Sequence, residues 1–361
     1  MKRIDPMYST MLAELGQRTF DAPFEADFPL RGNFVTVPVK GKDYWYFDLP
    51  QDGGSKKRSY VGPKSDEEIT KRIETFGQVK SSLKQNRRLV NSLLREGGLN
   101  APEPFQGKII ETLARAGLFR LRGILVGSAA FGCYSGVLGI RLPTAVLMTG
   151  DADIAQDFAI SAEVMDSLPP MLDLLQDVDP TFRAVPHHGD RVKTAAFQNT
   201  FGYRVEFLTG NRGSDDYTGK PSLMPALGGA AAEPLRFMDF LIVDPIRTVL
   251  LHGSAVSVNV PSPERYAIHK LIIATRRHSD GALKREKDIR QAGLLIDAMA
   301  NDMRQIDMIE VYTEAWDRGP AWQEALRGGF AMLYPATRDA FRASLAHYAE
   351  WAKIDPSPYA P

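Results

Sequence analysis

Leu125-Val126-Gly127-Ser128-Ala129-Ala130-Phe131 is the stretch whose reading decides the fold. Leu121-Arg122-Gly123-Ile124-Leu125-Val126 reads as a buried strand, Gly127-Ser128 as a turn, and the residues from Ala129 to about Leu138 as a helix. A strand that runs straight into a helix leaves the first helical N–H groups unpaired at the turn, where they and the helix dipole favour an anion. Glycine admits phosphate oxygens to the backbone, and the Ser128 hydroxyl adds a donor. Taken alone, Gly-Ser ahead of a helix is ordinarily a simple cap, so the meaning of this turn depends on the residues C-terminal to it.

Ala145-Val146-Leu147-Met148-Thr149 is apolar and expected to be extended, and it leads into Gly150-Asp151-Ala152-Asp153-Ile154. Residues i and i+2 of a strand point to one side, so Asp151 and Asp153 converge there. Two converging carboxylates repel unless cations separate them, and charges emerging from an apolar strand are costly without a purpose. A helix is expected from about Ser161 to Gln176. Ala195 to Thr200 and Tyr203 to Leu208 then flank Gly202 like paired strands. In Arg204-Val205-Glu206-Phe207-Leu208, Val205 and Phe207 face the core, which leaves Arg204, Glu206 and Leu208 on the other side. Glu206 is either the partner of Arg204 on an exposed strand face or a third carboxylate beside the two aspartates. In the second case it serves as a metal ligand or as the base that takes a proton from an attacking hydroxyl. Arg236 to Val243 reads as one more strand.

A strand, Gly-Ser and helix, then Asp-x-Asp, then one acid in a later strand resemble the DNA polymerase β-like nucleotidyltransferase superfamily. The wider context resembles a set of bacterial nucleotidyltransferases. Matching segments are Leu125 to Phe131, Thr149 to Ala155, Arg204 to Thr209 and Val260 to Leu271, within about residues 120–295. The resemblance implies that Gly127 and Ser128 meet the triphosphate of an NTP. It implies that Asp151 and Asp153 bind two Mg²⁺ ions, with Mn²⁺ as an alternative, and that Glu206 completes the acidic triad as a metal ligand. Two departures stand out. Twenty-two residues separate Ser128 from Asp151, so an inserted turn or strand is expected, and the third acid is Glu where Asp is more usual.

Ser262-Pro263-Glu264 is a helix start, with a cap, a proline at the first position and an acid in the first turn. On that helix Tyr266, Lys270, Ile273 and Arg277 are spaced to share one face. Lys270 and Arg277 are expected to neutralise triphosphate charge unless the face is simply solvated and basic. The superfamily likewise places a lysine on such a helix. Lys284 and Lys287 extend the patch, and Asp288 pairs with a neighbouring base. Further helices are expected near 283–300, 304–317, 320–333 and 336–352.

The start of the chain, Met1 to about Lys64, is β-like, with strands at Phe34–Val39, Asp43–Leu49 and Lys57–Val61 and a turn at Gln51–Ser55. A long charged helix spans about Ser65 to Arg95, ended by Gly97-Gly98, and another begins at about Pro104 with Phe105, Ile109, Leu113 and Leu118 on its apolar side. Tyr44, Trp45 and Tyr46 beside Lys56, Lys57 and Arg58 mix stacking surface with cations, which suits either sheet packing or single-stranded nucleic acid. The helix of 65–95 presents that module or mediates self-association. His187-His188 reads as a polar loop, Cys133 as a small core residue, and Ala226-Leu227-Gly228-Gly229-Ala230 as a flexible loop without a phosphate-loop lysine.

Composition narrows the field further. The 361 residues are 44% hydrophobic and 24% charged, an ordinary globular make-up that allows two or three domains. Lys+Arg and Asp+Glu both number 44, so no global field draws the chain to nucleic acid or membrane. A single cysteine excludes an intramolecular disulfide and a cysteine-rich zinc site. The first residues carry no apolar signal-peptide region and no apolar run reaches about 18 residues, so a cytoplasmic protein without a membrane span is expected.

The resulting expectation is an α/β (α+β) chain. A β-hairpin and helix module occupies 1–104, a mixed-sheet nucleotidyltransferase core 105–260, and a helical domain 261–361. Its reaction would move an NMP from an NTP to a hydroxyl acceptor with release of pyrophosphate. The acceptor is open among RNA or tRNA, protein and small molecules. Alternatives are a toxin-like nucleotidyltransferase of a toxin–antitoxin pair and a nucleotide- or nucleic-acid-binding protein without chemistry.

Overall fold

The computed structural model describes residues 2–20, 32–39, 42–51, 55–143, 150–163, 167–187, 193–211, 221–277, 281–302 and 304–361. Within them the architecture is mixed α/β. The expected extended run of 145–149 and parts of the 51–55 turn and of His187-His188 lie outside the described residues.

The first region is not purely β. Helix α1, Pro6–Phe20, precedes the strands. Its start carries the usual signals, since Asp5 Oδ1 accepts from the Met7 N–H at 2.9 Å and Pro6 occupies the first position. Strands β1 (Asn33–Val39), β2 (Lys42–Pro50) and β3 (Lys56–Pro63) form an antiparallel meander, as the aromatic alternation predicts. Helix α2, Glu67–Arg95, is capped by Asp66, whose Oδ1 accepts from Ile69 N at 3.1 Å. It ends at Gly98, whose φ of +67° lets Leu99 N reach back to Leu93 O at 3.1 Å. Phe34 and Phe47 of the meander pack on Phe76 of α2, and Trp45 Nε1 donates to Thr70 Oγ1 at 3.1 Å. Trp45 thus ties the meander to α2 through its indole N–H.

Helix α3, Pro104–Arg115, is capped by Glu103. Tight turns through Gly117 and Arg122, both at positive φ, close its end, so the strand expected over 121–126 shrinks to β4, Ile124–Leu125. Helix α4, Gly127–Val137, comes at once, and β5 is Asp151–Ala155. In place of one helix over 161–176 there are two, α5 (Phe158–Glu163) and α6 (Met171–Gln176), because Pro169-Pro170 cannot continue a helix. Short β6 (Arg183–Ala184) and β7 (Ala196–Gln198) lead through the turn at Gly202 to β8, Arg204–Gly210, and β7 and β8 pair antiparallel as expected. Strands β9 (Ser222–Leu223) and β10 (Ala231–Leu235) bracket the glycine-rich segment. That segment is not a flexible loop. Ala226 and Leu227 are fully buried, and Met171 N donates to Gly228 O at 3.0 Å.

The strand expected over 236–243 is instead helix α7, Met238–Ile242. Phe237 sits in the left-handed region at φ +68° and turns the chain there, and a short, mostly apolar run does not reveal its own secondary structure. A hairpin of β11 (Ile246–Leu250) and β12 (Val256–Val260) comes next. Helices α8 (Pro263–Thr275), α9 (Ala282–Ala300), α10 (Gln305–Asp317), α11 (Pro320–Ala331) and α12 (Pro335–Ala352) then match the expected helices within a few residues.

The main sheet runs β4-β5-β8-β10-β9, with β7 also on β8 and β6 on β7. β5, β8 and β10 are parallel, and β4 and β9 are antiparallel to their neighbours. One apolar cluster joins β4, α4, α7, the β11–β12 hairpin and α8 to α12. Ala152, Val205 and Phe207 instead point to a second cluster with Ile109 and Leu113 of α3 and Met171 and Leu175 of α6. The inner strands are thus packed on one face while their alternate residues look the other way.

Candidate functional site

Strands β5 and β8 run side by side and parallel, with Asp151 opposite Arg204 and Asp153 opposite Glu206. The alternation places Ala152, Val205 and Phe207 in the core. Asp151, Asp153 and Glu206 consequently share the other face. There they line one cavity of about 500 Å³ together with Gly127, Ser128, Lys270 and Arg277. All seven residues singled out from the sequence thus meet in one place. A second cavity of about 590 Å³, mostly apolar and lined by α1, α4 and β11, has only Ser128 in common with it and contains none of the three acids. The chemistry therefore belongs to the smaller cavity.

The glycine turn is built for close approach. Gly127 has φ +63°, and a Cβ there would collide with Asp153 Oδ2. Val126 N donates to Asp153 O at 3.0 Å, which locks the turn to β5. The N-cap residue of α4, Val126, makes no side-chain cap bond, and the start of the helix at Gly127 and Ser128 lines the cavity. From the far side, the Tyr266 hydroxyl lies 2.9 Å from Gly127 O and 3.0 Å from Gln291 Oε1 and ties α8 and α9 to the turn. Gln106 Nε2 of α3 donates to Asp151 O at 2.7 Å and holds the start of β5.

The electrostatics are uneven. Burial, then the neighbouring Asp151 and Glu206, push the Asp153 carboxyl up to about 7, with Lys270 and Lys284 working the other way. Glu206 is ion-paired with Arg204 on its own strand and lines the cavity beside the two aspartates. The basic residues Arg236, Lys270, Arg276, Arg277, Lys284 and Lys287 line the cavity against the acids Asp151, Asp153, Glu206 and Asp288. Burial, then Lys270, lower the Lys287 ammonium. Lys270 Nζ lies 2.6 Å from Asp288 Oδ1 and Arg277 Nε 3.0 Å from Asp288 Oδ2, so both cations are paired with one carboxylate. Sequence reasoning missed His269. It lines the cavity, is buried to a neutral state with its imidazole pushed down to about 3, and its Nε2 has no hydrogen-bond partner among the described residues. A histidine inside an apolar helical run gives no signal of that kind. The acids Asp151, Asp153 and Glu206 offer oxygen donors only, which is the chemistry of Mg²⁺ and Mn²⁺. Among the described residues, no group of three or more Asp, Glu, His or Cys side chains is placed to hold a metal ion. The three acids share one face beside the glycine cradle, with Lys270 and Lys284 partly offsetting the charge at Asp153.

The chain matches the Nucleotidyltransferase family over residues 105–317, more than half its length. The chain belongs to this family. The family match spans α3 to α10 and so includes every residue of the cavity. Among solved structures, the chain is similar to the crystal structure of an antigenic nucleotidyltransferase-like protein from Paracoccidioides brasiliensis. That likeness is at 17% identity and a TM-score of 0.30, over 63% of this chain and 94% of that one, too slight to support a comparison of sites. No curated protein matches the chain. No described helix is long and apolar enough to cross a membrane.

Proposed function

We propose that the chain is a metal-dependent nucleotidyltransferase of the DNA polymerase β-like kind, which moves an NMP from an NTP to a hydroxyl acceptor. The observation that carries this reading is the register of Asp153 opposite Glu206, with Asp151 two residues away, on a face that meets the uncapped N-terminus of α4. Asp151, Asp153 and Glu206 would hold Mg²⁺, which when bound neutralises phosphate charge and favours the alkoxide form of the acceptor.

The residues around them divide the remaining work. The first N–H groups of α4 and the Ser128 hydroxyl receive phosphate oxygens, and Gly127 leaves room for them. Lys270 and Arg277 oppose the β- and γ-phosphate charge. The acceptor oxygen attacks the α-phosphorus as the bond to the bridging oxygen breaks. The electron pair of that bond leaves with pyrophosphate, and the hydroxyl proton passes to the Glu206 carboxylate. The ion pair with Arg204 holds the Glu206 side chain along the strand until an acceptor arrives.

Incubation of the purified chain with each labelled NTP, Mg²⁺ and total RNA or lysate tests the reading. It predicts pyrophosphate release with label moved to one class of acceptor. Binding of NTP and Mg²⁺ with no pyrophosphate formed from any of the four NTPs would contradict it.

A further inference from the structure

Asp288, on α9, is only 3% exposed, yet its two carboxylate oxygens are divided between two cations from elsewhere. Oδ1 takes Lys270 of α8 at 2.6 Å and Oδ2 takes Arg277, just beyond the end of α8, at 3.0 Å. Lys270 is itself 8% exposed and its ammonium stands 5.2 Å from the centre of the Tyr266 ring. Tyr266 in turn reaches Gly127 O and Gln291, one turn of α9 beyond Asp288. One carboxylate therefore fixes two cations on the wall of the cavity that faces the glycine turn. A carboxylate there weakens the local positive field. As a contribution to anion attraction alone it is a poor choice, and its value is geometric.

Resting on the reading of the cavity as a triphosphate site, we propose that Asp288 is the positioning residue for its phosphate-binding cations. It holds Lys270 and Arg277 as one preorganised pair whose remaining donors face the phosphate tail. Lysine and arginine side chains carry large rotamer entropy, and a charge-assisted bond to a buried partner removes it before the ligand arrives. Among the described residues, Asp288 bonds the Lys270 ammonium and the Arg277 Nε. A guanidinium has further N–H groups at its terminal nitrogens and an ammonium has two more hydrogens, which a ligand can take.

The test uses the full chain and inorganic tripolyphosphate with Mg²⁺, followed by calorimetry, together with steady-state pyrophosphate release. For Asp288→Asn we expect tripolyphosphate affinity to fall about tenfold and the KM for NTP to rise by a similar factor. We expect kcat to stay within about threefold, since the reacting atoms are handled by other residues. Asp288→Glu, which keeps the charge, recovers most of the affinity. A merely structural role would lower kcat and melting temperature without that split. Because one lone buried cation can unfold the Asn variant, a second comparison is made between Lys270→Met and Lys270→Met with Asp288→Leu. The first leaves Asp288 paired with Arg277, whereas the second frees Arg277, so the double variant is expected to bind tripolyphosphate at least about threefold more weakly. Wild-type-like binding by a folded Asp288→Asn chain, or equal binding by the single and double variants, would overturn the role of Asp288 alone. Failure of the unaltered chain to bind tripolyphosphate would overturn the phosphate reading of the whole cavity and this inference with it.

Discussion

Asp153 and Glu206 are register partners on neighbouring parallel strands, although 52 positions lie between them in the chain. Parallel pairing brings their carboxylates to one face, and the burial of Ala152, Val205 and Phe207 on the opposite face fixes that orientation. A slip of one residue would send the acids into the apolar cluster.

Replacing Asp153 by Asn separates function from stability. The side chain keeps its shape but loses the charge that burial and two neighbouring acids oppose. Transfer is expected to fall at least about a hundredfold. The melting temperature above pH 7 should hold or rise, because the neutral side chain no longer bears the cost of ionisation. Pyrophosphate release and a thermal melt on the same sample check both halves.

The raised carboxyl of Asp153 also sets a pH dependence. Its folded value of about 7 lies above the ordinary carboxylate value of 3.8, so the folded state binds this proton more tightly than the unfolded chain. Its contribution to stability is full below 3.8 and is lost as pH rises to about 7. Removing divalent metal with a chelator should therefore lower the melting temperature more at pH 8 than at pH 5.5. In Asp153→Asn that difference should shrink. Equal effects at both pH values would count against a cation at this carboxylate.

His269 works in the opposite sense. Burial holds its imidazole near 3 against an ordinary 6.5, so its stabilising contribution is complete above 6.5 and is lost as pH falls toward 3. His269→Gln should flatten the acid limb of the stability profile between those values, measured by denaturant unfolding in a pH series.

At the turn, Gly127→Ala is expected to cost about 1–2 kcal/mol from its left-handed backbone. The added methyl also displaces Asp153 Oδ2, so activity should drop well beyond what the stability loss explains. Unfolding in denaturant beside a kcat measurement separates the two effects.

Much of this arrangement is legible in the sequence. Gly127-Ser128, Asp151-x-Asp153 and Glu206 each obey period-two alternation or mark a strand-to-helix turn, local patterns that survive folding. The helices after Ser262 announce themselves by caps and prolines. The features that escape depend on tertiary surroundings. Arg236 to Val243 is as apolar as a strand, and only the turn at Phe237 makes it helical. The glycine-rich 226–230 segment looks loose until Ala226 and Leu227 are seen buried. Asp288 looks like an ordinary member of a charged helix, and its hold on Lys270 and Arg277 exists only once α8 and α9 pack together.

The most direct test of the central claim is pyrophosphate release by the purified chain with each NTP and Mg²⁺ in the presence of lysate, run beside Asp153→Asn and Glu206→Gln. The account predicts release by the unaltered chain with at least one NTP and near-background release by both variants. No release by the unaltered chain with any NTP, or undiminished release by either variant, would contradict it.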